Sequence, residues 1–174
     1  VTGADGSVET IEADHYLVAT GSQPWTPPID GLAEAGYLTS TTAMELTEVP
    51  TSLLVLGGGY VALEQAQLFA RLGSKVTLLV RSRLASKEEP EVSRALEGAF
   101  ADEGIRVIRR AAPTRVSRNA GGEVVVSTDV AGGTQEFHAD QVLVALGRRP
   151  VTDGLGLDAV GVKTGDSNQV VVTD

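Results

Sequence analysis

Ser52-Leu53-Leu54-Val55-Leu56-Gly57-Gly58-Gly59-Tyr60-Val61-Ala62-Leu63-Glu64 changes its periodicity within one short stretch. Up to Leu56 the run is apolar without alternation, as in a strand buried on both faces of a parallel sheet. Three glycines follow at once. From Tyr60 to Leu72 the apolar spacing is helical, with Val61, Leu68 and Leu72 on one stripe and Ala62, Ala66 and Phe69 beside it. Gly57-x-Gly59-x-x-Ala62 therefore joins a buried strand to a helix. There Gly57 permits a tight turn, Gly59 lets the backbone approach a diphosphate, and small Ala62 lets helix and strand pack closely. The unpaired N–H groups and dipole of the first helical turn favour an anion. The alternative is a tight turn with no ligand at all.

Moving outward, Gly73 stops that helix, and Val76-Thr77-Leu78-Leu79-Val80 is a second buried strand. Pro90 suits the first position of another helix, on which Val92, Leu96, Ala99 and Phe100 recur at helical spacing before Gly104 ends it. Residues 105–108 make a third strand, so the order predicts a Rossmann-like parallel sheet with right-handed crossovers. A dinucleotide reader that takes NAD carries an acidic residue at the end of its second strand, to hold the ribose 2′-hydroxyl. Here Val80 stands at that place and Arg81-Ser82-Arg83 follow. A carboxylate would repel a 2′-phosphate; two guanidiniums with a hydroxyl between them grip it. The expected coenzyme is NADP, with Lys87 assisting; otherwise Arg81, Arg83 and Lys87 are ordinary solvated charges.

Beyond residue 113 the texture changes. Three short β-leaning segments, 114–119, 123–128 and 134–138, are split by Gly121-Gly122 and Gly132-Gly133, and predict an antiparallel meander before the last core strand, 141–146. The tail from Arg149 is loop-rich and ends in a strand at Val170-Val171-Val172. At the other end, Val8-Glu9-Thr10-Ile11-Glu12 reads as a half-exposed strand, and residues 16–20 as a buried one. Three prolines between Gln23 and Gly31 predict an extended connector, and Thr42-Ala43-Met44-Glu45 has capping-box spacing for a short helix. The chain opens on Val1, inside an expected strand, and is read as an excised piece of a longer protein.

The 174 residues hold 23 acidic against 14 basic side chains, a formal charge of -9, which argues against a phosphate-backbone binder. Cysteine is absent, so there is no disulfide framework, thiolate metal site or cysteine nucleophile in these residues. His15 and His138 are far apart, lack metal-ligand spacing and read as structural. No apolar run approaches the roughly 20 residues of a membrane span. Glu88 and Glu89, just before Pro90, read as favouring a helix N-terminus rather than as acid–base groups.

Gly57 to Glu64 resembles the pyridine-nucleotide fingerprint of the flavin-dependent disulfide reductases. Ala19-Thr20-Gly21 is similar to that family's first flavin-side segment, and Gly147-Arg148-Arg149-Pro150-Val151-Thr152 to its second. Residues 38–42, 68–77 and 103–105 most resemble the family's mercuric reductase branch, although dihydrolipoyl dehydrogenases have a stretch similar to 147–157. The resemblance covers nearly the whole chain. It implies an NAD(P) domain, residues 39–148, inserted into an FAD domain. Residues 1–38 and 149–174 would be strips of the FAD domain, and a dimerisation domain would lie elsewhere. The parent would be a cytoplasmic homodimer passing hydride from NADPH to FAD and on to Hg(II).

Tyr60 then matches an aromatic gate over the flavin, and Glu64 a carboxylate that pairs with a lysine outside this chain. The two are four residues apart and share one side of the helix. Otherwise they are a packed aromatic and a solvated charge. Val116 and Gly147 match the adenine and nicotinamide ends. Gly57, Gly58, Gly59, Val61, Arg81, Ser82, Arg83, Thr20, Gly21 and Arg148 complete the expected cofactor-binding set, Arg148 alternatively tying a strand end to a carboxylate. Val151 replaces the family's usual Asn at a flavin-side contact. The redox cysteines would lie outside the chain, so the piece is expected to bind NADPH but neither to hold FAD well nor to reduce mercury. A non-catalytic nucleotide-binding module is the reading from another class; the two flavin-side strips argue against it.

Overall fold

A computed structural model describes residues 2–172; the strand expected to begin at Val1 starts outside them. The chain divides into two compact units, Gln23–Arg149 and the pair of segments Val1–Ser22 and Pro150–Asp174.

The larger unit is built on a four-stranded parallel sheet. Its strands are β2 (Ser52–Leu56), β3 (Lys75–Val80), β4 (Arg106–Arg109) and β8 (Gln141–Val144), in the order β4-β3-β2-β8. β2 is central because it is the most apolar: Leu53, Leu54, Val55 and Leu56 are each at most 2% exposed, with side chains in cores on both faces of the sheet. The register pairs Leu53 with Val76 on one edge and with Gln141 on the other. A reciprocal clamp fixes the start of the second pairing: Ser52 N donates to Asp140 Oδ2 (3.0 Å) and Asp140 N donates to Ser52 Oγ (2.9 Å). Leu38 extends the sheet beyond β8, its N donating to Val142 O and its O accepting from Val144 N.

Helix α2 (Tyr60–Arg71) and helix α3 (Pro90–Asp102) cross over between the parallel strands. Both end in the same way. Gly73 N donates to Ala70 O and Ser74 N to Phe69 O; Gly104 N donates to Ala101 O and Ile105 N to Phe100 O. These are Schellman closures, which satisfy carbonyls the helix leaves open. The two helix ends are also tied by an ion pair, Arg71 Nη2 to Glu103 Oε1 at 2.7 Å. That guanidinium holds the Glu103 carboxyl below its usual range.

The buried faces differ from the expected stripes. On α2 the core residues are Ala62, Leu63, Ala66 and Phe69, and Leu72 is exposed. On α3 they are Ser93 and Phe100, and Val92 and Ala99 face outward. On α2 the buried stripe is the one read beside Val61, Leu68 and Leu72; on α3 Phe100 of the expected stripe is buried, with Leu96 packed against the core, while Ser93 takes the place of Val92 and Ala99. Ser93 fits inside because its hydroxyl donates to the Leu84 carbonyl. Phe100 is 2% exposed within the larger core, so Phe100→Ala should cost about 3–5 kcal/mol, read as a fall in the urea midpoint at unchanged slope.

Strands β5 (Ala112–Arg118), β6 (Val124–Val130) and β7 (Gly133–Ala139) form the expected antiparallel meander. Val124, Val126 and Phe137 from it join Leu54, Leu56 and Val142 in the second core. The connector holds a short helix, α1 (Leu32–Ala35), and Thr42–Glu45 forms a 3-10 turn rather than a capped α-helix, with no side-chain cap at Thr41. Two short strands, β1 (Ser22–Pro24) and β9 (Arg148–Pro150), pair with each other.

The smaller unit corrects several expectations. Residues 16–20 are not a strand; Tyr16 and Leu17 are 75% and 92% exposed. A strand needs a partner edge, and no described residue pairs with this run. Val8 makes only an isolated bridge with Thr2, and Val170 one with Thr164, so neither expected strand forms. His15 and His138 are both exposed; His138 lies within β7, 3.9 Å from Glu123 Oε2. Among the described residues there is no acidic or histidine cluster fit for a metal, and no helix long and apolar enough to cross a membrane.

Candidate functional site

The turn between β2 and α2 is held from three sides. Gly57 has φ +132°, and a Cβ there would overlap the Ala145 carbonyl oxygen and sit 3.4 Å from the Ala62 methyl. Its N–H donates to Leu79 O at 3.1 Å, closing the turn onto β3. At Gly58 a Cβ would fall 2.5 Å from Val80 Cγ1 and 3.3 Å from Arg83 O. Gly59 differs: its φ of -84° suits any residue, and a Cβ there would meet nothing within 4 Å. The first two glycines are thus required by the protein's own packing. The third faces open space at the helix N-terminus, with no side-chain cap on the amides. Ala62 is fully buried, where a larger residue would push α2 off the sheet.

That open space belongs to a cleft of about 340 Å³, to which Gly59, Tyr60, Val61, Lys87, Gly147 and Arg148 all contribute. Ser40 and Ala145, which no sequence signal marked, line it too. Lys87 and Arg148 give it positive charge although the whole chain is acidic. Gly147 O accepts from Trp25 N at 3.0 Å, and the Arg149 guanidinium lies 4.6 Å from the Trp25 ring centre. The sequence singled out neither that stack nor Trp25.

Tyr60 is 58% exposed and its hydroxyl donates to Glu88 Oε1. The hydrogen bond to that carboxylate, which only the protonated phenol can donate, holds Tyr60 above its ordinary ionisation range, with desolvation and the carboxylate's charge acting in the same direction. This corrects the reading of Glu88 as a helix-end charge: its side chain serves Tyr60. Glu89 stands at the N-cap of α3 but makes no side-chain cap. Nothing in the sequence links positions 60 and 88, because the link depends on how the 81–89 loop folds back. Glu64 is exposed on α2, one turn from Tyr60.

The expected phosphate-gripping group is split. Arg81 and Ser82 are exposed at the end of β3, and the Arg81 guanidinium has no ion pair among the described residues. Arg83 instead turns inward, Nη2 donating to Ser86 O (3.0 Å) and Glu88 O (2.7 Å). Val116 is likewise not gathered into the cleft. It is 1% exposed in the second core, and its N–H donates to Asp30 O. Thr20 and Gly21 lie in the smaller unit, where the Thr20 hydroxyl donates to Val151 O and Gly21 O accepts from Val151 N (3.0 Å). Val151 thus makes with its backbone the contacts that hold this segment.

A glycine-rich strand-to-helix turn on a parallel sheet, with an open helix N-terminus and cations at its cleft, defines a Rossmann-like nucleotide-binding architecture. The family model described as pyridine nucleotide-disulphide oxidoreductase matches residues 1–174. The chain belongs to that family. It is 58% identical over 170 residues to a mercuric reductase of Streptomyces lividans, covering 98% of this chain and 36% of the relative. With a mercuric reductase of Lysinibacillus sphaericus it shares 43% identity over 166 residues, 94% of this chain and 30% of the other. Among solved structures, LpdA of Mycobacterium tuberculosis superposes with a TM-score of 0.85 at 32% identity, over 99% of this chain and 37% of that one. The flavoprotein disulfide reductase RclA of Escherichia coli gives 0.80 at 32% identity, over 88% and 35%. The chain spans about a third of the length of the curated relatives it matches.

Proposed function

We propose that this chain is the NADPH-binding segment of a mercuric reductase, with residues 39–148 as the coenzyme domain and 1–38 and 149–174 as strips of the flavin domain. The observation that carries the reading is the pairing of an open Gly59 turn with a β3 end that offers Arg81 where an NAD reader needs a carboxylate. When bound, NADPH supplies a hydride for the FAD of the whole enzyme, which uses it to take Hg(II) to Hg(0). The residues of this chain bind and orient. The amides after Gly59 receive the diphosphate, and Arg81 with Ser82 receives the 2′-phosphate. Lys87 and Arg148 offset negative charge along the cleft. Tyr60 shields the cleft on the face it shares with Glu64, and Gly147 leaves room beside Trp25.

The residues present fit the nicotinamide coenzyme and do not fit FAD by themselves: the described residues contain no second glycine-rich strand-to-helix turn for its diphosphate. With no cysteine among the 174 residues, the redox disulfide and the mercury ligands belong to other parts of a homodimeric parent. The second reading is another flavin disulfide reductase, favoured by the fit to LpdA and RclA at about a third identity. Arg81 argues against an NAD-using member.

The test is a titration of the chain with NADPH and NADH, followed by the fluorescence of Trp25, its only tryptophan, which packs against the cleft residue Gly147. NADPH is expected to bind at least about tenfold tighter, the size of one charge-assisted contact. Equal binding, or a preference for NADH, overturns the reading.

A further inference from the structure

We infer that Arg83 is a positioning residue: its guanidinium braces the 83–88 loop from within, setting where Lys87 and Glu88 stand at the cleft, and does not touch the coenzyme. The inference rests on the nucleotide-binding reading of the cleft and deepens it. Nη2 is committed to the carbonyls of Ser86 and Glu88. Nη1 is buried and has no acceptor among the described residues. Nη2 is thus engaged by the loop's own carbonyls and Nη1 is buried, whereas Arg81 and Ser82 are exposed.

The loop is anchored on its other side as well. Ala85 N donates to Gly58 O at 2.7 Å, binding the loop to the glycine turn itself, and Glu88 N donates to Ala85 O at 2.9 Å. Leu84 and Ala85 are buried at 0% and 4% exposure, and Ala85 holds φ +45°, a left-handed conformation that persists only where the surroundings impose it. The Ser93 hydroxyl fastens Leu84 O to α3. Between these anchors and the Arg83 brace the two outward residues have fixed places. Lys87 lines the cleft with Gly59 and Tyr60, and Glu88 takes the Tyr60 hydroxyl.

A brace and a phosphate ligand fail differently. Removing a 2′-phosphate ligand weakens NADPH and spares NADH. Removing the brace displaces Lys87 and frees Tyr60, which both coenzymes meet alike. For Arg83→Ala, each dissociation constant is expected to rise by about tenfold, with their ratio held within about threefold. Arg83→Lys, whose ammonium is shorter-armed and costlier to bury, should raise both by a smaller factor.

A second readout needs no coenzyme. Tyrosinate absorbance followed against pH should show a late-ionising component, assigned to Tyr60 by its loss in Tyr60→Phe. That component should ionise earlier in Arg83→Ala and in Glu88→Gln, and earlier by a smaller step in Arg83→Lys. If NADPH alone weakens, or if Tyr60 ionises as late in the Arg83 variants as in the parent chain, the inference is overturned. If the parent chain binds neither coenzyme, the nucleotide reading fails, and the Tyr60 titration still decides the role of Arg83. If Arg83→Ala does not fold, Arg83→Lys and the same titration decide it.

Discussion

Arg81→Glu is expected to raise the NADPH dissociation constant by about a hundredfold and to leave that for NADH within about threefold. Two effects add. The variant loses a charge-assisted hydrogen bond to the 2′-phosphate, worth about 1.5–3 kcal/mol. It also sets a carboxylate against a dianion, while offering NADH the acidic partner its ribose hydroxyl prefers. Stability should be little changed, because Arg81 is exposed and holds no ion pair among the described residues. The measurement is the same Trp25 titration with both coenzymes. A parallel loss of both would show that Arg81 shapes the site without reading the phosphate.

Gly57→Ala should be among the most damaging single-methyl changes in the larger unit. At φ +132° an L-residue is strained wherever there is space, and here there is none, since the methyl overlaps the Ala145 carbonyl oxygen. Relief requires β2 and the end of β8 to part, which breaks the bond from Ala145 N to Leu56 O. Strain and overpacking together should cost about 3 kcal/mol or more. Gly59→Ala is the control one turn away. Its backbone accepts any residue and its Cβ meets nothing, so the unfolding free energy from a urea titration should stay within about 0.5 kcal/mol of the parent. Coenzyme affinity should nevertheless fall by about tenfold, because the methyl fills the space left for the diphosphate. Loss of affinity without loss of stability at Gly59, and the reverse order at Gly57, would separate the ligand's requirement from the fold's. If Gly59→Ala binds both coenzymes as the parent does, the diphosphate lies elsewhere.

The parallel core was legible because its signals are local. An apolar run, a glycine turn and a change of period lie side by side in residues 52–72, and Pro90, Gly73 and Gly104 punctuate the helices where the structure ends them. The meander was legible from Gly121-Gly122 and Gly132-Gly133. Which helical stripe faces inward was less so, because Ala and Ser compete with Val and Leu for the core: Ala62 and Ser93 are buried while Leu72 and Val92 are not. Residues 16–20 carry a strand's composition without a partner edge, and composition does not report pairing. At the site, the glycines and Arg81 stand where the motif put them. Arg83, Glu88 and Val116 do not, since each is placed by a contact that no spacing rule encodes: loop carbonyls, a phenol 28 residues away, and the core.

The strand order β4-β3-β2-β8 also governs how the domain is made. A ribosome delivers the central β2 early, and β3 can cover one of its edges soon after. The other edge waits for residues 141–144, after the whole meander has been synthesised. Throughout that interval the nascent chain shows an unpaired apolar border, the kind of surface that chaperones guard and that self-associates when crowded. The Ser52–Asp140 clamp closes only once Asp140 has emerged, so completion of this sheet follows synthesis of the meander.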